Sequence, residues 1–309
     1  MKAELSIVIP VYNRAGIVQR TLDSVRHQTL RPLDVILVDN NSTDNTAEML
    51  AAWKEHVEGP GFSVKVVAET QPGAAAARNR GLREVDTPYM MFFDSDDLMM
   101  PRHAERALRA LKAPDAPDIV GWDVKYLMLN NKWRRCCFFE KDYLWHNLTH
   151  GMMSTQRYAA RTSIFHKAGG WNPEIRGWDD IELGTRILLA DPKIVKLKGT
   201  PTVTVCSQAD SITGEAYTPS STLWERALDE IENSLARAGH PTEAVELQRC
   251  VLAGLYAAEG SPEEGIRLYE TTIPKTPSRL KRSMLRFAFR YTALGGRGVA
   301  RLLRPFFKI

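Results

Sequence analysis

The chain has 309 residues, room for one large or two ordinary domains, with 44% hydrophobic and 25% charged residues, a globular composition. Its four cysteines, Cys136, Cys137, Cys206 and Cys250, lack metal-ligand spacing and include an adjacent pair, which suits a reduced cytosolic chain better than a disulfide framework. No apolar stretch reaches the length of a membrane span, and Glu4 and Pro10 interrupt the first apolar run, so that run is read as a strand and not an export signal. The net charge of +4 conceals an asymmetry: beyond Glu270 there are ten Lys and Arg and no acid, which leaves −6 for residues 1–270.

In chain order, residues 5–10 form a predicted strand, followed by a turn at Val11-Tyr12-Asn13-Arg14. Ile17, Thr21, Leu22 and Val25 share one face of a helix predicted over 17–28. A second strand over 34–38 ends at Asp39, and a polar loop follows in which Thr43 or Asp44 can cap a helix running to about residue 56. Gly59-Pro60-Gly61 precedes a third strand over 63–68. Buried apolar strands alternating with helices predict a mostly parallel sheet flanked by helices, with ligands at the carboxyl ends of the strands.

Three stretches carry chemistry. In the first, Gly73 opens an alanine-rich helix whose small residues and N-terminus suit an anion; Arg78 adds a forked cation, and Gly81 can end a turn. In the second, the apolar run Tyr89-Met90-Met91-Phe92-Phe93 ends in Asp94-Ser95-Asp96-Asp97. Strand alternation sends Asp94 and Asp96 the same way, and carboxylates so crowded call for a hard divalent cation that also grips a diphosphate. The bland alternative is an acidic turn with Asp97 as a helix cap. In the third, Trp178-Asp179-Asp180-Ile181-Glu182 opens a helix. Asp179 and Glu182 have the spacing of a capping box, which leaves Asp180 about 100° round the helix and facing a cleft. Residues 118–129 and 133–139 are read as strands.

Five segments in order, S-I-V-I-P-V-Y-N-R at 6–14, V-D-N-N-S-T-D-N-T at 38–46, G-A-A-A-A-R-N-R-G at 73–81, F-F-D-S-D-D at 92–97 and W-D-D-I-E-L-G-T-R at 178–186, resemble family 2 glycosyltransferases. The resemblance implies a GT-A fold, α/β and Rossmann-like with a mostly parallel sheet flanked by helices, here with a C-terminal all-α appendage. It implies an inverting transfer from a nucleotide-diphospho-sugar, a UDP-sugar, to a glycan or lipid-linked acceptor, with Mn²⁺ or Mg²⁺. Residue by residue, Asp39 corresponds to the acid that accepts the base N–H, and Pro10 and Tyr12 line that pocket. Arg78 lies near the nucleotide and diphosphate. Asp94 and Asp96 form the metal–diphosphate motif, with Asp96 the direct ligand. Asp180 is the general base, and Trp178 part of the sugar or acceptor wall, a core position being its alternative. Three positions depart from the family pattern: Asn40 and Asn41 follow Asp39 where a second acid is common, Asp179 replaces a Glu, and Gln208 replaces a metal-binding His, with Asp210 as another possible contributor.

The expected organisation is a catalytic domain over 1–220, a helical region resembling a single tetratricopeptide hairpin over 221–277, and a basic amphipathic tail over 278–309. One hairpin cannot build a superhelix. The tail interleaves its cations with Leu280, Met284, Leu285, Phe287, Phe289, Leu302, Leu303, Phe306 and Phe307, which suits an anionic membrane surface; a solvated basic face and an oligomer contact are the alternatives. The expected location is cytoplasmic and peripheral on the inner face of the cell membrane, and no nucleic-acid fold accompanies the charge. A phosphatase of the D-x-D-x-T type is excluded because Leu98 stands at the Thr position. A non-catalytic nucleotide-sugar-binding scaffold is the alternative from another class.

Overall fold

The structure is a computed structural model and describes residues 2–208 and 216–309. Its strands are β1 (Leu5–Val11), β2 (Leu33–Asp39), β3 (Phe62–Ala68), β4 (Tyr89–Phe92), β5 (Leu98–Met99), β6 (Ile119–Trp122), β7 (Val124–Leu127), β8 (Trp133–Cys136), β9 (Tyr158–Arg161), β10 (Ile194–Leu197) and β11 (Val203–Cys206). Its helices are α1 (Val18–Arg26), α2 (Thr46–Val57), α3 (Ala74–Arg83), α4 (His103–Leu111), α5 (Tyr143–His150), α6 (Thr162–Lys167), α7 (Asp179–Leu189), α8 (Ser221–Arg237), α9 (Glu243–Ala258), α10 (Pro262–Thr272), α11 (Arg279–Ala293) and α12 (Val299–Leu303). Contacts divide the chain into two compact units, one of residues 1–141 and 152–209, the other of residues 142–151 and 210–309.

The first unit is built on a seven-stranded sheet of order β10-β6-β9-β4-β1-β2-β3. All its neighbours are parallel except β9, which is antiparallel to both β4 and β6. β1 lies in the middle with Leu5, Ile7, Val8 and Ile9 fully buried, as a strand covered on both faces must be. Gly81 does not end a turn. It lies within α3, where an added Cβ would stand 2.3 Å from Val8 Cγ1 and 3.1 Å from Val38 Cγ2. Lacking that carbon, α3 packs close onto β1 and β2 and carries Arg78 to their carboxyl ends.

The single strand expected over 118–129 is split at Asp123. β6 stays in the large sheet while β7 joins a four-stranded sheet of order β5-β11-β7-β8. Asp123 anchors the break: its carboxylate accepts the Phe138 N–H at 2.7 Å and ion-pairs with Arg135 at 2.6 Å and Lys196 at 2.9 Å. Phe138 turns its ring onto Gly121, where a Cβ would clash at 2.1 Å, so the strand expected over 133–139 stops at Cys136.

The second unit is helical and centred on α9, which buries Val245, Leu247, Cys250, Leu252, Ala253 and Tyr256 and is packed by α5, α8, α10, α11 and α12. Gly265, at a position where a tetratricopeptide repeat favours alanine, lets α10 approach α9: a Cβ would meet Ala253 O at 2.5 Å. The tail belongs to this core. Leu285, Ala288, Val299, Leu303 and Phe307 are buried, and only part of the amphipathic set expected for a membrane surface, Leu280, Phe287, Leu302 and Phe306, is exposed, joined by Tyr291 and Leu294. Among the described residues, no helix is long and apolar enough to cross a membrane.

Candidate functional site

Because β1, β2 and β4 are parallel, with Val11 beside Asp39 and Val8 beside Phe92, their carboxyl ends share one edge of the sheet. The loops after β1 and β2 are tied together there. Asn13, at φ 48°, donates its N–H to Ser42 Oγ at 3.0 Å and accepts the Thr43 N–H at 2.7 Å, while the Arg14 N–H reaches Thr46 Oγ1 at 2.9 Å. Pro10 is partly buried, and Tyr12 is 56% exposed. Asp39 is buried; Oδ2 accepts the Ser42 N–H at 3.4 Å, while Oδ1 has no hydrogen-bond partner among the described residues. A buried carboxylate oxygen without a donor is costly, so this edge is completed by a ligand N–H or by water.

Asn40 has a structural reason to be an amide. Its Nδ2 donates to Glu69 O at 3.0 Å and Gln71 O at 2.7 Å while its Oδ1 accepts the Gly73 N–H at 2.8 Å. It thereby joins the end of β2 to the segment that opens α3, a task needing donor and acceptor together, which an aspartate could not perform.

Arg78 is buried and held between two acids, with Nη1 2.8 Å from Asp179 Oδ2 and Nη2 3.1 Å from Asp94 Oδ1. Burial alone would lower its pKa, but the charges of Asp179, Asp94 and Asp180 outweigh it and raise the value, so the cation is permanent. The guanidinium stands 5.6 Å from the Trp171 ring centroid. The neighbouring Asn79 clamps Trp171 in place, accepting its N–H and donating to its carbonyl, both at 2.8 Å. Gly170, at φ 72°, permits the approach, since a Cβ there would lie 2.5 Å from Asn79 Oδ1.

Arg78 thus connects the second and third chemical stretches. Asp94 also receives the Thr155 hydroxyl at 3.3 Å, whereas the Asp96 carboxylate has Arg14 at 3.9 Å and its backbone carbonyl accepts Arg20 Nη2 at 2.9 Å. Burial and then the charge of Asp94 push Asp96 up to about 6. Asp97 accepts the Cys206 N–H at 2.9 Å and leaves Oδ2 buried with no partner among the described residues; burial, with Asp94 and Asp96, raises its pKa well above the usual range. It does not cap a helix.

The expected capping box is not formed. Trp178, half-buried with φ 55°, is the N-cap of α7; Asp179 turns to Arg78, and Glu182 pairs with Arg186 at 2.6 Å. Asp179 is the first helical residue and not the N-cap, and its carboxylate neutralises the buried Arg78. Asp180 stands beside this pair with no such partner. Burial and then the charge of Asp179, opposed by Arg78, push Asp180 up to about 7. The sequence reading missed Thr155, Tyr158, Trp171 and Tyr126. No motif marks them, and only the fold brings their segments to the carboxylates; Tyr126 and Tyr158 both feel the charge of Asp180.

A divalent ion fits this donor set only in part. Asp94 and Asp96 offer hard oxygens, and the buried Asp97 Oδ2 beside them has no partner among the described residues. Among the described residues no three acidic, His or Cys side chains form a metal cage. Gln208 donates to Cys206 O at 3.5 Å, and Asp210 lies outside the described residues.

The sequence profile described as Glycosyl transferase family 2 matches residues 6–170, just over half of the chain. An uncharacterised glycosyltransferase of Haemophilus influenzae is 27% identical over 216 residues, 66% of this chain and 68% of that protein. A validoxylamine A glucosyltransferase of Streptomyces hygroscopicus is 32% identical over 120 residues, which cover 38% of this chain and 27% of its length. Among solved structures, S. aureus TarS 1-349 in complex with UDP-GlcNAc aligns with a TM-score of 0.72 at 16% identity, covering 98% of this chain and 92% of that one. The mannosyltransferase PcManGT of Pyrobaculum calidifontis, in complex with GDP-Man and Mn²⁺, aligns with a TM-score of 0.55 at 18% identity over 98% of this chain and 87% of its own. At these identities the solved structures establish the fold, GT-A, and the profile establishes the family. The chain is a glycosyltransferase of family 2.

Proposed function

We propose that the protein transfers a sugar with inversion from a nucleoside diphosphate sugar, a UDP-sugar, to a hydroxyl of a glycan or lipid-linked acceptor. The observation that carries this reading is Arg78, which binds Asp94 and Asp179 at once and so draws Asp180 to the carboxylates at the end of β4. Asp39 Oδ1 accepts the N–H of the base, with Tyr12 and Pro10 beside it; a buried acceptor discriminates strongly against a base that cannot donate there. Asp94 and Asp96 would hold Mn²⁺ or Mg²⁺ for the donor diphosphate, Asp96 as the direct ligand because Arg78 already binds Asp94. When bound, the ion supplies positive charge to the departing diphosphate. PcManGT, a relative in fold, is complexed with Mn²⁺, and TarS with UDP-GlcNAc, which supports the donor class.

Asp180 removes the proton of the acceptor hydroxyl as that oxygen attacks the anomeric carbon. The bond from that carbon to the diphosphate oxygen breaks on the opposite face, which inverts the centre. A base whose pKa lies at about 7 is matched to work near neutrality. Trp178 lines the sugar or acceptor side. The test is a screen of UDP-sugars for slow hydrolysis with Mn²⁺. Activity lost in Asp96→Ala is expected; activity retained in that variant would remove the metal assignment, and no hydrolysis or binding of any UDP-sugar would leave the scaffold reading.

The same reading places the enzyme in the cytoplasm, on the inner face of the membrane. On α11, Arg279, Arg282, Arg286 and Arg290 recur at helical spacing beside an exposed row of Leu280, Phe287 and Tyr291 that Leu294 extends past the helix end, an arrangement suited to anionic lipid. Deleting the tail would strip the core of the helical unit, so the informative change is Arg→Gln at these four positions. Undiminished sedimentation with phosphatidylglycerol vesicles would discard the membrane assignment.

A further inference from the structure

The ribbon of β7 and β8 carries a cation that the reaction above does not use. In this antiparallel pair Tyr126 lies directly opposite Arg134, while Lys125 faces Arg135 and Leu127 faces Trp133. Period-two alternation puts Tyr126 and Arg134 on one face and Lys125, Trp133 and Arg135 on the other. Of these cations only Arg135 is paired with a carboxylate among the described residues. Arg135 gives both Nε and Nη2 to Asp123 Oδ2, at 3.0 and 2.6 Å, and Lys125 lies over the Trp133 ring. The Arg134 guanidinium lies 5.6 Å from the centroid of the Tyr126 ring, is exposed, and has no carboxylate within ion-pair distance among the described residues.

The Tyr126 face is also linked to the acidic cluster. Tyr126 is in register with Val205 of β11, and the next residue, Cys206, donates its N–H to Asp97 Oδ1 at 2.9 Å. Burial first, then the charges of Asp97, Asp94 and Asp180 among its neighbours, push the Tyr126 phenol up to about 12, so it remains an O–H donor at every working pH. It has no hydrogen-bond partner among the described residues. A phenol without a hydrogen-bond partner and a guanidinium without a carboxylate therefore share one face of the ribbon, and the phenol feels the charge of the proposed base.

We propose that Tyr126 and Arg134 form the acceptor subsite, and that the acceptor carries a phosphate near the hydroxyl that Asp180 deprotonates. The proposal rests on the glycosyl-transfer reading of the site. Asp94, Asp96, Asp179 and Asp180 outnumber the one buried cation, Arg78, and that excess of negative charge repels an anionic acceptor, a barrier that a cation on the adjoining ribbon lowers. The planar fork of arginine matches phosphate oxygens in pairs, and its place over an aromatic ring pre-orders it. The donor diphosphate already has the ion-binding pair Asp94 and Asp96, which leaves Arg134 for a second anion. A phosphorylated glycan and a prenyl phosphate share this chemistry.

The test is binding of glucose, glucose 6-phosphate and geranyl phosphate to the full chain by calorimetry at constant ionic strength, with and without UDP and Mn²⁺. The phosphorylated probes are expected to bind where glucose does not, and Arg134→Gln to weaken them about ten-fold with UDP affinity unchanged. Arg134→Lys should recover part of the loss, while Lys125→Gln, which removes an equal charge from the opposite face, should cost nothing. Stronger binding of glucose 6-phosphate assigns a phosphorylated glycan, and stronger binding of geranyl phosphate a lipid phosphate. The proposal is overturned if phosphate confers no advantage over glucose, if Lys125→Gln costs as much as Arg134→Gln, or if UDP affinity falls in parallel. Failure of UDP to bind the unaltered chain counts instead against the nucleotide-sugar reading, and leaves the response of Arg134 to phosphate readable without UDP.

Discussion

Arg78 and the arginines of α11 show how one residue type serves opposite ends according to burial. Arg78 is buried between Asp94 and Asp179, and its pairing organises the site. Arg279, Arg282, Arg286 and Arg290 are exposed and have no carboxylate within ion-pair distance among the described residues. A buried guanidinium is a structural commitment, since removing it strands two charges in a poorly solvated place. An exposed one has little effect on the fold and is available to a partner. A sequence shows ten cations in the tail and three in an alanine-rich helix, and from that contrast the tail looks like the place where charge matters most.

The comparison can be broken first at the buried end. Asp180→Asn should lower turnover by about 10²–10⁴-fold, the usual worth of a positioned general base, with UDP affinity retained. Single-turnover kinetics beside calorimetry separate the two, and turnover within a few-fold of the parent would remove Asp180 as base. Arg78→Met should cost roughly 3 kcal/mol in urea denaturation, because both acids lose their partner. A loss no larger than that of an exposed arginine would dissolve the contrast.

Two smaller effects sharpen it. The proposed base acts when deprotonated, so kcat/KM should fall on the acid side of about pH 7, the value to which burial and Asp179 push Asp180. Asp179→Asn removes the raising charge and frees Arg78 to act on Asp180, so that limb should move to lower pH; a limb that moves up or stays would separate it from this pair. Least affected of all should be folding in the fourfold Arg→Gln variant of α11, with a melting temperature near that of the parent while binding to anionic vesicles weakens by about 1 kcal/mol per arginine. A variant that unfolds would show that these side chains serve the helical core.

Several residues of the candidate site stand out before folding is considered. Asp39, Asp94, Asp96 and Asp180 follow apolar runs or open a helix, and a strand that ends in acids announces a ligand edge. The departures were harder to read. Asn40 was seen as a missing acid, although it is an amide that must donate twice and accept once. Asp179 and Glu182 had the spacing of a capping box, but each found an arginine instead, one of them 101 residues away in the chain. Thr155, Trp171 and Tyr126 carry no local signal because their roles depend on which strands become neighbours.

From the sequence alone came the family, the parallel arrangement of the first strands and the carboxylates at their ends, since these depend on periodicity and local order within short segments. The tertiary structure alone decided which charges are neutralised. It gave Asp179 to Arg78, left Asp180 without a cation of its own, buried Leu285 and Phe307 of a tail whose composition suggested a free surface helix, and left Arg134 unpaired on the face that Tyr126 shares. Periodicity acts over a few residues and is written in the chain. Electrostatic pairing and desolvation depend on distance in space, and only the fold sets those distances.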